Sequence, residues 1–177
     1  MRKLVVTEFL SLDGVMEHPA WTMPYWNDEI AQYKADEMNA SDALLLGRIT
    51  YEGFAAAWPS RTDDGAEQMN GLPKYVVSTT LREVTWNNSR LITSNVVEAI
   101  TKLKQESGKN ILVYGSGRLI QTLIQHNLID QYRLLVYPVV LGSGIRLFRD
   151  GSSATLKLIE AKHFHSGVTA LDYAPAD

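Results

Sequence analysis

Asn110-Ile111-Leu112-Val113-Tyr114-Gly115-Ser116-Gly117-Arg118-Leu119-Ile120-Gln121-Thr122-Leu123-Ile124 is the stretch from which the fold is read. Ile111, Leu112 and Val113 form a continuous apolar run, the pattern of a strand covered on both faces. Leu119, Ile120, Leu123 and Ile124 recur at helical spacing, and Ser116 is placed to cap the helix they define. His126 and Asn127 fall where that helix ends, a place suited to a left-handed cap. Between strand and helix, Gly115-Ser116-Gly117 aims unpaired backbone N–H groups at one point, which suits a phosphate. Such turns also arise simply because glycine allows tight bends and close packing. The usual dinucleotide fingerprint fails at Ile120, where a third glycine belongs, and no Lys-Ser/Thr pair closes a P-loop. The glycines also come late, whereas a Rossmann domain carries them after its first strand.

A chain of 177 residues suits one domain, residues 1–177, with a substantial core. Hydrophobic residues at 45% and charged ones at 21% are ordinary for a soluble protein. No apolar run approaches membrane-spanning length, and residues 1–20 lack a signal-peptide block, so a cytoplasmic chain with no membrane partner is expected. The absence of cysteine excludes disulfides, iron–sulfur ligation and thiol catalysis. A net charge of −3, with Arg90, Arg118, Arg133, Arg146 and Arg149 dispersed, argues against a nucleic-acid partner. His18 and His126 are isolated, and His163 and His165 share a strand face without a carboxylate partner nearby in sequence, so no metal site is expected.

Lys3 to Leu10 reads as the first strand, with Thr7 and Glu8 between its apolar residues, and Ser11-Leu12-Asp13-Gly14 ends it with a turn. The segment from Val15 to Trp26 carries Pro19, Pro24, Trp21, Tyr25 and Trp26; it either plugs the core or walls a ligand pocket. Asn27 to Asn39 reads as a helix capped by Asn27, and Asp42 to Leu46 as the second strand, ended by Gly47. Arg48-Ile49-Thr50-Tyr51-Glu52 opens a second helix running to about Ala57. Arg48 and Thr50 in its first turn are either phosphate ligands or a surface charge and a local cap.

A short helix is expected around Glu67 to Asn70, with strands at Lys74 to Ser78 and Arg90 to Thr93. A helix over Asn95 to Glu106 follows, Asn95 and Glu98 being spaced as a capping box. Asp130 to Leu141 reads as one long strand interrupted at Pro138. Gly142-Ser143-Gly144 is a turn, and Ala154 to His165 with Val168 to Tyr173 form a closing antiparallel hairpin. The expected architecture is an α/β mixed sheet, with a parallel centre, an antiparallel C-terminal edge and helices on both faces.

Three segments carry a resemblance: Ser11-Leu12-Asp13-Gly14, Gly47-Arg48-Ile49-Thr50-Tyr51-Glu52 and Gly115-Ser116-Gly117-Arg118-Leu119. With Val136 to Gly144 and Leu147-Phe148, they resemble the dihydrofolate-reductase-like family over roughly residues 2 to 174. The likeness is to the branch that includes the C-terminal reductase domain of bacterial riboflavin biosynthesis. It implies a reductase taking hydride from NADPH. The segment matching Gly47 to Thr50 then contacts cofactor phosphates, and the one matching Ser78 and Thr79 holds the adenosine 2′-phosphate. The segment matching Gly115, Ser116, Gly117, Arg118 and Leu119 wraps the pyrophosphate and nicotinamide side.

Where many relatives carry Arg after the serine of the third strand, this chain has Thr79, leaving Arg48, Arg82 or Lys74 to favour NADPH over NADH. Tyr114 stands where riboflavin-branch relatives often carry Glu. Asp28, Glu29, Asp36 and Glu37 fall in the region of the acid that protonates the pterin in dihydrofolate reductases.

Hydride transfer asks the protein to orient the nicotinamide, exclude water and often deliver a proton. Asp13 is the candidate substrate contact or proton relay, against the simpler reading of an Asp closing its own turn. Trp21, Tyr25 and Trp26 would stack on a flat heterocycle if their loop covers the cofactor. The expected function is an NADPH-dependent reductase of a small heterocyclic (pterin- or pyrimidine-like) or sugar-derived substrate. The alternative is a non-catalytic dimeric protein that binds a nucleotide or other ligand in the same cleft. A homodimer is expected through the strands after Asp130, as in riboflavin-branch relatives.

Overall fold

The computed structural model describes all 177 residues. In chain order the elements are β1 (Leu4–Leu10), a 3-10 helix (Pro19–Tyr25), α1 (Asp28–Asn39), β2 (Ser41–Gly47), α2 (Arg48–Ala57) and α3 (Ala66–Gly71). There follow β3 (Lys74–Val77), β4 (Ser89–Ile92), α4 (Val96–Gln105), β5 (Asn110–Gly115), α5 (Gly117–Gln125), β6 (Gln131–Val136), β7 (Leu156–His163) and β8 (Thr169–Pro175). The strands form one sheet in the order β4-β3-β2-β5-β1-β6-β8-β7. The first six run parallel, and β8 and β7 close the edge antiparallel. No helix is long and apolar enough to cross a membrane.

Strand alternation sorts the core into two layers. Leu4, Val6, Leu45, Ile111 and Val113 face α4 and α5, meeting Ile100, Leu103, Leu119, Ile120 and Leu123. Val5, Leu44, Leu46 and Leu112 face the other way, against Met38 of α1, Tyr51 of α2 and Met69 of α3. A third cluster packs Ile30 and Tyr33 of α1 on Leu135, Tyr137 and Ala170. Helices on both faces explain why the central strands read as unbroken apolar runs.

Three local expectations fail. The strand expected from Asp130 to Leu141 stops at Val136, because Pro138 has no N–H to donate and the chain turns there. Tyr137 N donates to Leu10 O at 2.8 Å and Leu12 N donates to Val139 O at 2.7 Å, so the turn is stitched to the end of β1. Asn95 adopts a left-handed φ of 50° and its side chain makes no capping bond, so the capping box with Glu98 does not form. Ser116 makes no side-chain cap on α5 either. Asn27 does cap α1, accepting from Ile30 N at 3.0 Å, and Asn127 is left-handed beyond α5, as read from the sequence.

Lys74 is fully buried, which the sequence did not announce. Its Nζ donates to Asn70 O at 2.8 Å, Leu72 O at 2.8 Å and Asn87 O at 2.9 Å, and sits 4.2 Å from the centre of the Trp86 ring. This ammonium ties the end of α3 and the approach to β4 onto β3, and it cannot also serve a cofactor phosphate. Lys74→Met leaves three carbonyls without their donor; thermal melts should show a loss of about 3 kcal/mol and a Tm lower by about 6–12 °C.

Candidate active site

β2 leads one way along the sheet to β3, and β5 leads the other way to β6, although β2 and β5 are neighbours. The connections therefore diverge between them. In an open α/β sheet the crevice at such a point, outside the carboxyl ends of the strands, is where ligands bind. α2 and α5 both begin there, on opposite faces.

Their first residues touch. A Cβ on Gly47 would lie 2.2 Å from Ser116 Oγ and 2.7 Å from Ser116 N, so only hydrogen fits. Gly115 has φ 122°, and the bond from Gly115 to Ser116 is cis. A Cβ on Gly115 would meet Thr50 Oγ1 at 2.9 Å and Glu8 Oε1 at 3.5 Å. A Cβ on Gly117 would meet Arg149 Nη2 at 3.0 Å, Met16 Sδ at 3.5 Å and Ile145 Cγ2 at 3.6 Å. Gly47, Thr50, Gly115 and Ser116 thus lie together, with Gly117 next in the chain and facing Arg149.

Neither helix tip is capped by a side chain. Gly47 has none, and Ser116 Oγ lies against Gly47 instead. The first-turn N–H groups, including those of Arg118 and Leu119, carry the positive end of each helix into the crevice. The side chain of Leu119 itself is in the core. Arg118 is exposed beside this tip and Arg149 reaches it. The ion pairs of the molecule engage Arg2, Arg48, Arg61, Arg133 and Arg146, but neither Arg118 nor Arg149. Arg48 pairs with Glu52 at 3.1 Å on the exposed face of α2.

Ser78 and Thr79 follow β3, at the same edge, where Gly47 pairs with Val77. Ser78 Oγ accepts from Thr80 N at 3.1 Å and Leu81 N at 3.0 Å, closing its own turn, while Thr79 is exposed.

Asp13 lies on the other rim. Its carboxylate accepts from Ser11 Oγ at 2.6 Å, Leu141 N at 3.1 Å and Gly142 N at 2.8 Å, and Arg146 Nε donates to its carbonyl at 3.0 Å. These bonds hold the carboxyl far below the usual carboxylate range. A group so firmly ionised is a poor proton donor, and the geometry favours the turn-closing reading. Trp21 and Tyr25 also turn inward. Each meets the buried ring of Tyr137 edge-on, with centroids 5.5 and 5.7 Å away, so they plug the core rather than offer a face to a ligand. Trp26 is half exposed.

Under the crevice lies a buried polar group built on Glu37, one of the four acids singled out from the sequence, with partners that the sequence did not show. Glu37 of α1 accepts from Thr7 Oγ1 at 3.0 Å, pairs with Lys34, and lies 3.6 Å from Arg133 Nη1. Arg133 Nε donates to Tyr33 Oη at 3.1 Å and to Asp172 Oδ1 at 3.3 Å, and Tyr33 donates to Asp172 at 2.8 Å. Lys34 Nζ stands 5.1 Å from the Tyr114 ring centre and 5.4 Å from that of Phe9. Burial raises the Tyr114 hydroxyl well above its ordinary range. Glu8 sits beside this group, buried, with Oε1 making no hydrogen bond. Burial pushes its carboxyl well above the ordinary range, with Lys34 opposing and Glu37 adding to the shift. In sequence, the polar pair Thr7-Glu8 inside the first strand was the signal for this group on the sheet.

The model of the RibD C-terminal domain family matches residues 2–170. The Bacillus subtilis (strain 168) protein "Uncharacterized protein YyaP" is 32% identical over 178 residues, covering 97% of this chain and 94% of its own. The B. subtilis protein "Uncharacterized protein YwjB" is 32% identical over 176 residues, covering 94% and 95%. Among solved structures, a candidate riboflavin biosynthesis protein of Shewanella sp. PV-4 superposes with TM-score 0.82 at 23% identity, over 99% of both chains. A pyrimidine reductase-like protein of Corynebacterium diphtheriae superposes with TM-score 0.74 at 13% identity, over 99% of this chain and 92% of that one. The Thermotoga maritima diaminohydroxyphosphoribosylaminopyrimidine deaminase/5-amino-6-(5-phosphoribosylamino)uracil reductase gives TM-score 0.71 at 15% identity, this chain spanning 57% of it. At these identities the structures share the fold.

The Asp13 clamp gives a pH dependence. Its pKa is lower folded than unfolded, so its contribution is present above the unfolded value and lost as pH falls through the folded one. Melting temperature should therefore fall with acidification below about pH 4, and Asp13→Asn should melt lower at neutral pH with a shallower acid slope.

Proposed function

The chain belongs to the RibD C-terminal domain family, and we propose that it is an NADPH-dependent reductase of a small, flat, pyrimidine-like heterocycle or its sugar-derived substituent. One observation carries this reading: two glycine-led, uncapped helix tips meet at the switch point of the sheet. Their donors, with Arg118 and Arg149 at hand, fit the pyrophosphate of an extended dinucleotide. When bound, the nicotinamide supplies the hydride. In this proposal the α5 tip with Arg118 and Arg149 holds phosphate, and Gly47, Arg48 and Thr50 line the second tip. Ser78 and Thr79 lie toward the adenosine end. Gly115 lets Thr50 and Glu8 close in beneath the tips, and the loop clamped by Asp13 closes the far rim against water. The 3-10 helix, with Trp21 and Tyr25 packed inward, supports that rim, and Trp26 is the aromatic left to meet substrate.

We also propose a homodimer formed along the C-terminal edge. There β7 is exposed over nearly its whole length and shows Leu158 and Ile159 to solvent.

Titrating NADPH and NADH against tryptophan emission tests binding. Loss of reduced-nicotinamide absorbance with 5-amino-6-(5-phosphoribosylamino)uracil, dihydrofolate and a panel of related heterocycles tests turnover. Binding of NADPH with oxidation by one compound is the expected result. Binding without oxidation by any of them favours the non-catalytic alternative, and no binding rejects the reading. Arg118→Ala and Arg149→Ala should each weaken NADPH about tenfold, and Arg48→Ala less, with Tm nearly unchanged in all three.

A further inference from the structure

The strongest unassigned feature is Glu8. It lies on β1 with Oε1 covered and unpartnered, while 8% of the residue's surface stays open to solvent. Buried carboxyls ordinarily accept hydrogen bonds or pair with a cation. The cations near it are committed elsewhere. Lys34 is bound to Glu37 and Thr7, and Arg133 to Glu37, Tyr33 and Asp172. Two cations face two carboxylates in that group, so a charged Glu8 would be an uncompensated third anion in a buried setting. Tyr114, on the neighbouring strand, is kept protonated by burial and by the same acids and cannot supply the missing charge. The carboxyl is therefore neutral and keeps an O–H to give.

Its position has a use. Oε1 lies 3.5 Å from where a Cβ on Gly115 would be, and Thr50 Oγ1 lies 2.9 Å from the same point. Gly115 is itself buried, and for want of its side chain Glu8 and Thr50 close on one point where β5 runs into α5.

We propose that Glu8 is the proton donor of the reduction, a catalytic residue touching the substrate atom beside the carbon that receives hydride. This rests on the reductase reading above. In the step, one hydride passes from the reduced nicotinamide to the carbon of a C=O or C=N bond, and the Glu8 proton passes to the oxygen or nitrogen. The double bond becomes CH–OH or CH–NH, the cofactor leaves oxidised, and the Glu8 carboxylate recovers a proton from solvent. A neutral acid next to the nicotinamide side also avoids repelling a substrate rich in carbonyl oxygens.

Infrared difference spectroscopy of the whole protein against Glu8→Gln reads the proton directly. A protonated-carboxyl band at neutral pH, absent from the variant and moved by adding NADPH, is expected. An ionised Glu8, or a band indifferent to NADPH, overturns the proposal. Glu8→Gln should bind NADPH within about threefold of wild type, which shows that it is folded. With the panel compound that the wild type reduces, it should lose about 100-fold in kcat at little change in KM. The wild-type rate should fall as pH rises through the Glu8 pKa, and that limb should vanish in the variant. Unchanged kcat, or the same pH limb in both proteins, refutes the role of Glu8 while leaving the reductase reading intact. Failure of both proteins to bind NADPH refutes the reductase reading and this inference with it.

Discussion

Two helices begin in this molecule closer together than a methyl group allows. The contact of Gly47 with Ser116 is possible because β2 and β5 are neighbours and the register between them shifts at Leu45/Leu46, setting Leu46 opposite Gly115. That irregularity brings the end of each strand to the same height. From it follow the shared crevice, the pairing of two positive helix ends and the displacement of Ser116 from a capping role. A helix end normally satisfies its own donors with a neighbouring side chain. Here the packing that joins the tips also prevents it, and the donors face outward.

Below the crevice the molecule holds charge where an α/β sheet usually holds hydrocarbon. Thr7, Tyr33, Lys34, Glu37, Arg133 and Asp172 come from α1, β1, β6 and β8. Removing any one leaves a buried partner exposed to low dielectric, which makes the arrangement exacting without making it a large source of stability. It fixes α1 against the sheet in one register. Glu8 stands outside its charge balance, which distinguishes it from the acids that merely join elements.

The parts legible in the sequence are those whose cause is local. Apolar runs and helical spacing gave the strands and helices, and glycines at positions 47, 115 and 117 marked both tips. What was not legible depends on residues far apart. The clamp between Asp13 and the backbone of Leu141 and Gly142, more than a hundred positions away, turned a candidate proton relay into a fastening. The aromatic loop looked equally suited to plug or wall until Tyr137, brought in from beyond β6, supplied the surface on which Trp21 and Tyr25 rest. Lys74 read as a possible phosphate ligand because nothing nearby in sequence revealed three converging carbonyls. The Asn95 capping box failed because one backbone angle, set by the loop entering α4, carried the side chain away.

The bond between Tyr33 and Asp172 spans 139 positions. A chain leaving the ribosome exposes α1 well before β8, which carries the acid that both Tyr33 and Arg133 bind. Until residue 172 emerges, Arg133 and Tyr33 have one companion too few, and the polar side of α1 has no settled seat. Vectorial synthesis therefore leaves this buried bond unmade until β8 has emerged, whatever part of the sheet has formed before it.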